Sequence, residues 1–175
     1  GTAAAIAREN KTSPRGVYKS HIAELQQRLL KDGCYLLGIK NADKRDMALG
    51  AKVTVSSSSK DMTPEKTING YSRIVAPDRN AWTPETGAKG PHWIELRLAA
   101  KQAVNTMHVT FEKGKSVGFS IEAFVDGEFK TIADFPQNKL RRCVVNFKAA
   151  ATDRIRITAL QPPVICELRL YNEKG

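Results

Sequence analysis

Arginines and aromatic side chains set among turn residues are the part of this chain best equipped to meet a ligand. Tyr71, Arg73, Arg79 and His92 fall in or beside polar loops and combine flat surfaces with hydrogen-bond donors. Such a set suits gripping and orienting, not bond-breaking. Motifs for covalent chemistry are missing: there is no Gly-x-Ser-x-Gly elbow, no His-Glu-x-x-His and no phosphate loop. Paired carboxylates could in principle serve acid–base work. Glu95 and Glu167, however, stand in strand-like stretches beside apolar residues, so each is expected to be satisfied by an arginine or by backbone. The three cysteines, Cys34, Cys143 and Cys166, are far apart and form no Cys-x-x-Cys; with only three histidines a structural zinc site is not expected. Cys143 and Cys166 alternate with apolar neighbours, as small core residues do, and all three are read as free thiols.

The formal charge of +10 permits an anionic partner. Lysine and arginine are nevertheless spread along the whole chain, which reads as a solvated basic surface; the nearest approach to a cluster is Lys139, Arg141 and Arg142, with Arg154 and Arg156 on a neighbouring strand. Aromatics do not interleave with these cations along the sequence, so nucleic acid is not expected as a partner. No apolar run approaches the ~18 residues that cross a bilayer, so no membrane span is expected. At 175 residues, 41% hydrophobic and 26% charged, the chain suits one well-formed core with a small appendage.

The elements that must position these side chains change character along the chain. Thr2 to Glu9 is helix-forming by propensity. A second helix is predicted from Pro14, capped by Thr12 or Ser13, to a stop at Gly33, with Val17, Ile22, Leu25 and Leu29 near one face. A polar, charged connector, Gly38 to Met47, follows, and the domain boundary is placed within it, giving a helical segment 1–45 and a second domain 46–175. Beyond it the period falls to two. Ile94, Leu96 and Leu98 form one inward set, Met107, Val109 and Phe111 another, then Phe119, Ile121, Ala123 and Val125. Asp126-Gly127 is a strong hairpin signal, and Cys143, Val145 and Phe147, then Ile155, Ile157 and Ala159, then Cys166, Leu168 and Leu170 continue the alternation. About eight short strands with no helix between them predict a mainly β sandwich or barrel.

Residue order adds a resemblance. Val53-Thr54-Val55-Ser56-Ser57, Thr67-Ile68-Asn69-Gly70-Tyr71, Asn80-Ala81-Trp82 and Pro91-His92-Trp93-Ile94-Glu95-Leu96, answered by Ile165-Cys166-Glu167-Leu168-Arg169-Leu170-Tyr171, resemble the discoidin or coagulation-factor C-type module. That resemblance implies a jelly-roll antiparallel β-sandwich of the galactose-binding-domain-like kind, which binds and does not catalyse. It implies core positions for Trp82 and Trp93, and a glycan held by loop residues, for which Tyr71, Arg73, Arg79 and His92 are the candidates. Such modules also often hold Ca2+, and the matching oxygen donors here are Asn69, Asn80 and Glu167, with Asn69 in place of an aspartate and therefore one formal charge fewer.

A second resemblance covers roughly the first forty residues. Gly1-Thr2-Ala3-Ala4-Ala5-Ile6-Ala7, Ser13-Pro14-Arg15 and Glu24-Leu25-Gln26-Gln27-Arg28-Leu29 through Gly33 are similar to the last part of an FAD-dependent oxidoreductase domain. The Gly-x-Gly-x-x-Gly turn of such enzymes is absent from this chain, so FAD is expected only in a parent domain and not in this fragment. Together the two resemblances imply a non-catalytic, carbohydrate-binding accessory module, packed against a parent catalytic domain and periplasmic or extracellular. The alternatives are a purely structural or oligomerisation domain, or the accessory module of a polysaccharide lyase or glycosidase.

Overall fold

The computed structural model describes residues 1–173. The chain divides into two compact units, Gly1–Asp43 and Lys44–Gly175.

The first unit is helical. Helix α1 (Thr2–Glu9) packs Ile6 and Ala7 against Val17 of α2 (Pro14–Ser20) and against Leu25 of α3 (Ile22–Lys31). Ser13 caps α2 as its type predicts, its hydroxyl accepting from the Gly16 amide at 3.1 Å. The predicted single helix from Pro14 to Gly33 is broken at His21, whose backbone (φ −130°, ψ 22°) leaves the helical region. That break rotates the apolar stripe, so Val17 and Leu30 are buried while Ile22 is exposed. Gly33, at φ +92°, ends α3 as expected, and the Cys34 amide returns to the Leu29 carbonyl.

The second unit is a β-sandwich of six strands: β1 (Lys52–Val55), β2 (His92–Phe111), β3 (Phe119–Val125), β4 (Glu128–Phe135), β5 (Arg142–Ala159) and β6 (Ile165–Tyr171). The count is below the expected eight because β2 and β5 are long. The first half of β2 lies between β1 and the end of β5, and β3 and β4 complete a five-stranded layer in the order β1-β2-β5-β3-β4. Past a register shift between Arg97 and Gln102, the second half of β2 lies between the beginning of β5 and β6 in a three-stranded layer. All pairings are antiparallel.

The greasy half of each strand points between the layers. Ile94, Leu96, Ile121, Ile155 and Ile157 from one layer meet Met107, Val109, Val145, Leu168 and Leu170 from the other in one core. Phe111 and Phe119 touch across it with ring centroids 5.6 Å apart. Each such side chain contributes roughly 1.5–3 kcal/mol by leaving water. The hairpin between β3 and β4 turns at Asp126 (φ +55°) and Gly127 (φ +88°), the pair of left-handed residues that this turn type requires. The outer edge of β6 is not left bare. The Asp46 carboxylate, at the head of the 3-10 turn Met47–Gly50, accepts from the Leu170 amide at 3.0 Å. Further along, Trp82 bridges Ile165 through backbone hydrogen bonds of 2.8 and 2.9 Å.

Candidate ligand-binding loops

Register gathers the loops at one end of the sandwich. Val55 stands opposite Ile94, His92 opposite Ala159, Ser120 opposite Thr158, and Phe119 opposite Phe135. The segments 56–91, 112–118, 136–141 and 160–164 therefore all leave the strands on the same side. They are tied to one another: Glu112 donates its amide to Val164 at 2.9 Å, Asn138 its side-chain amide to Val117 at 3.2 Å, and Arg141 its guanidinium to Ser72 at 2.8 Å.

The longest of these loops is built around Trp82. Its side chain is fully buried, as expected, and its indole N–H donates to the Ser57 carbonyl at 3.1 Å. Two asparagines tie together the chain that follows the 3-10 turn Pro64–Ile68. Asn69 donates to Asn80 Oδ1 at 2.6 Å and accepts from the Tyr71 amide at 3.0 Å. Asn80, itself buried, donates to the Tyr71 carbonyl at 2.8 Å. Lys66 closes the other side, donating to Asp78 at 2.9 Å and to the Asp61 and Arg79 carbonyls at 3.1 and 3.2 Å. The result is a polar cleft of about 500 Å³ whose walls include Lys60, Asp61, Thr63, Lys66, Asp78 and Arg79.

The loop candidates divide. Tyr71, Arg73 and Arg79 are exposed on these loops. His92 is not: it is the first residue of β2, faces inward like Ile94, and is 2% exposed. The alternation that places Ile94 in the core carries His92 with it, so its ring is closed off from any surface ligand. Lys66 and Asp78 are cleft residues that sequence reasoning missed, since twelve positions separate them and neither sits in a recognisable motif.

The three oxygen donors proposed for Ca2+ do not form a cage. The side-chain amide oxygens of Asn69 and Asn80 already accept protein hydrogen bonds, and the amide nitrogen of Asn69 is engaged on Asn80 Oδ1. Glu167 points to the outer face of the three-stranded layer, where its carboxylate meets Arg169 at 2.8 Å. The cause is again alternation: Leu168 and Leu170 face the core, so Glu167 and Arg169 cannot. Among the described residues no group of three or more His, Cys, Asp or Glu is placed to hold a metal ion. These residues do not fit calcium.

Glu95 and Glu167 are each satisfied by an arginine, Arg156 at 2.8 Å and Arg169 at 2.8 Å. Burial pushes the Glu167 carboxyl up, against the opposing pull of Arg169. Cys143 and Cys166 are buried and unpaired, and Cys166 donates to Glu112 at 3.3 Å. Trp93 departs from its expected core position. It lies half-buried on the outer face of the five-stranded layer, its ring 4.6 Å from the Arg156 guanidinium. The Phe129 ring lies 3.7 Å from the same guanidinium, and the Phe124 ring 3.4 Å from that of Arg154. Aromatic and basic residues thus interleave in space, from four different strands, where the linear sequence showed no interleaving.

No family model and no curated protein sequence matches this chain. Solved structures do. Chitosan-binding module 2 of a Paenibacillus sp. IK-5 chitosanase/glucanase, in complex with chitotriose, is 18% identical with a TM-score of 0.63, over 73% of this chain and 100% of that one. The family 32 carbohydrate-binding module of Clostridium perfringens NanJ, in complex with galactose, is 17% identical with a TM-score of 0.64, over 73% and 98%. A Streptococcus pneumoniae fucose-binding module is 15% identical with a TM-score of 0.64, over 73% and 95%. At these identities the likeness concerns the fold, and that fold is the galactose-binding-domain-like antiparallel β-sandwich of carbohydrate-binding modules.

Proposed function

We propose that this chain is a non-catalytic carbohydrate-binding accessory module that takes its sugar at the loop end of the sandwich. The observation that carries the reading is the cleft between Lys66–Asp78 and Arg79, with Tyr71 and Arg73 exposed nearby. Sugars are held by ionic and amide groups reaching hydroxyls in pairs, and by a flat apolar surface against a ring face. Arg79 and Asp78 supply the first, and Tyr71 the second. The fold neighbours, solved with galactose or chitotriose, add support for the ligand class.

A single shallow site of this kind binds at about −4 kcal/mol, in the millimolar range, and becomes useful when tethered to a catalytic domain. The proposed parent is an FAD-dependent oxidoreductase, a reading that rests on the helical residues 1–33 alone. A dinucleotide-binding glycine turn in the gene upstream of Gly1 would support it; a polysaccharide lyase or glycosidase domain there would replace it. The setting proposed for such a tethered module is periplasmic or extracellular.

Calorimetric titration of the full chain with galactose, fucose and chitotriose tests the ligand class. Saturable binding that Arg79→Ala and Tyr71→Ala each weaken by roughly tenfold is the expected result, the loss of one good polar or stacking contact. Absence of binding to every sugar at about ten times the millimolar dissociation constant leaves the second reading, a purely structural domain.

A further inference from the structure

The end of the five-stranded layer opposite the loops carries a row of cations that the strands themselves bring into line. Lys52 of β1 stands directly across from Arg97 of β2, and Arg97 directly across from Arg154 of β5. All three alternate with core residues (Val53, Leu96 and Ile155) and so project from the outer face. Neighbouring strands lie about 4.8 Å apart, so the row spans about 10 Å. Like charges directly opposite one another destabilise a sheet. One rung further along, the same strands place Thr54, Glu95 and Arg156 in line, and there Glu95 neutralises Arg156 at 2.8 Å. The rung of Lys52, Arg97 and Arg154 has no such relief: none of the three is paired with a carboxylate among the described residues. Arg154 is fixed in place by Phe124 and Phe129, its guanidinium 3.4 and 5.4 Å from their ring centres. Lys52 and Arg97 are exposed, and they line a cleft of about 310 Å³ with Gly50, Leu98 and Ala99.

We propose that Lys52, Arg97 and Arg154 form a second binding surface, for an acidic polysaccharide bearing carboxylate or sulfate groups. A linear anion laid across the strands would meet three cations in succession and relieve their mutual repulsion. Two other polyanions fit less well. Single-stranded nucleic acid needs open aromatic faces for its bases, and here Phe124 and Phe129 are covered by Arg154 and Arg156. An anionic membrane calls for an apolar wedge beside the charge, and the residues beside this row, Gly50, Leu98 and Ala99, provide no large exposed hydrophobic group. This surface is separate from the loop cleft, and it can be tested whether or not a neutral sugar binds there.

The full chain is run in native gels containing polygalacturonate, heparin or neutral galactan, and is titrated separately with oligodeoxythymidine. Expected is retardation by polygalacturonate or heparin, weakening as salt rises. The double variant Lys52→Glu, Arg97→Glu should weaken it by roughly tenfold or more, because two attractions become repulsions. The milder pair Lys52→Gln, Arg97→Gln should fall between, with an unchanged melting temperature. Arg15→Glu, Lys19→Glu, an equal change of net charge at exposed positions of α2, should leave retardation as it was. No retardation by either acidic glycan overturns the proposal. So does an equal loss in both charge-reversed variants, or tighter binding of oligodeoxythymidine than of both glycans.

Discussion

The outer faces of the two layers are built by the same alternation yet have opposite environments. On the five-stranded layer, Trp93, Arg156, Glu122 and Phe124 are half-buried, and the Arg156–Glu95 pair keeps a quarter of the arginine side chain in contact with solvent. On the three-stranded layer, Thr106, His108, Thr110, Glu167, Arg169 and Tyr171 are all between 0 and 4% exposed. There Arg169 meets Glu167, the His108 ring packs 5.1 Å from Tyr171, and Arg142 reaches His108 Nδ1 at 3.2 Å. Facing away from the core is therefore not the same as facing water. Charges on the first face are adjustable; those on the second are structural, since a buried ion taken from its counter-ion has no solvent to turn to.

The largest test of this contrast is to remove one ion from each face. Arg169→Met should cost about 3–5 kcal/mol in a urea unfolding curve, the expense of stranding the Glu167 carboxylate. The double change Arg169→Met, Glu167→Leu should recover most of that loss. A single-variant loss below about 1 kcal/mol would make the two faces equivalent.

Cys166 is passed over where β6 shifts register against β2, so Ile165 and not the expected Cys166 joins the core, and this buried thiol gives a test of intermediate size. Cys166 is pushed up to about 12 by burial, with help from the neighbouring Glu112. The unfolded thiol titrates near its ordinary value of 9.0. Between those values the unfolded chain holds fewer protons than the folded one, so stability is intact below pH 9 and declines as pH rises toward 12. The loss from this group should reach about 2–3 kcal/mol by pH 11. Cys166→Ala should remove that part of the slope, and an alkaline slope identical in wild type and variant would refute the assignment. The smallest effect belongs to the open face: Glu95→Gln, which leaves the Arg156 side chain a quarter exposed to solvent, should cost about 1 kcal/mol or less, measured by the same unfolding curve and reduced further at high salt.

The contrast also marks how far the sequence could be read. Period-two patterning identifies Ile94, Leu96, Met107, Val109, Ile121, Ile155, Leu168 and Leu170 as inward, and all of them are in the core. Asp126-Gly127 announces its hairpin because a left-handed pair is a local requirement. Ser13 and Gly33 mark helix ends for equally local reasons. What lay beyond reach depends on partners distant in sequence. Nothing near Arg97 or Gln102 says that one strand serves two layers, and nothing near Lys66 says that Asp78 will meet it. Trp93 and His92 exchange their expected places, Trp93 moving out and His92 in, because the phase of an alternation is set by the whole strand and not by residue type. Glu167 fails as a metal ligand for the same reason.

The continuity of β2 and β5 through both layers has a mechanical consequence. In a sandwich whose layers are joined only by loops, one sheet can slide or peel from the other while each stays intact. Here any such displacement would have to tear ladder hydrogen bonds in the middle of the two longest strands. The loop end and the cationic row are thereby mounted on one stiff frame, and a pull applied at either is transmitted through backbone rather than through side-chain packing.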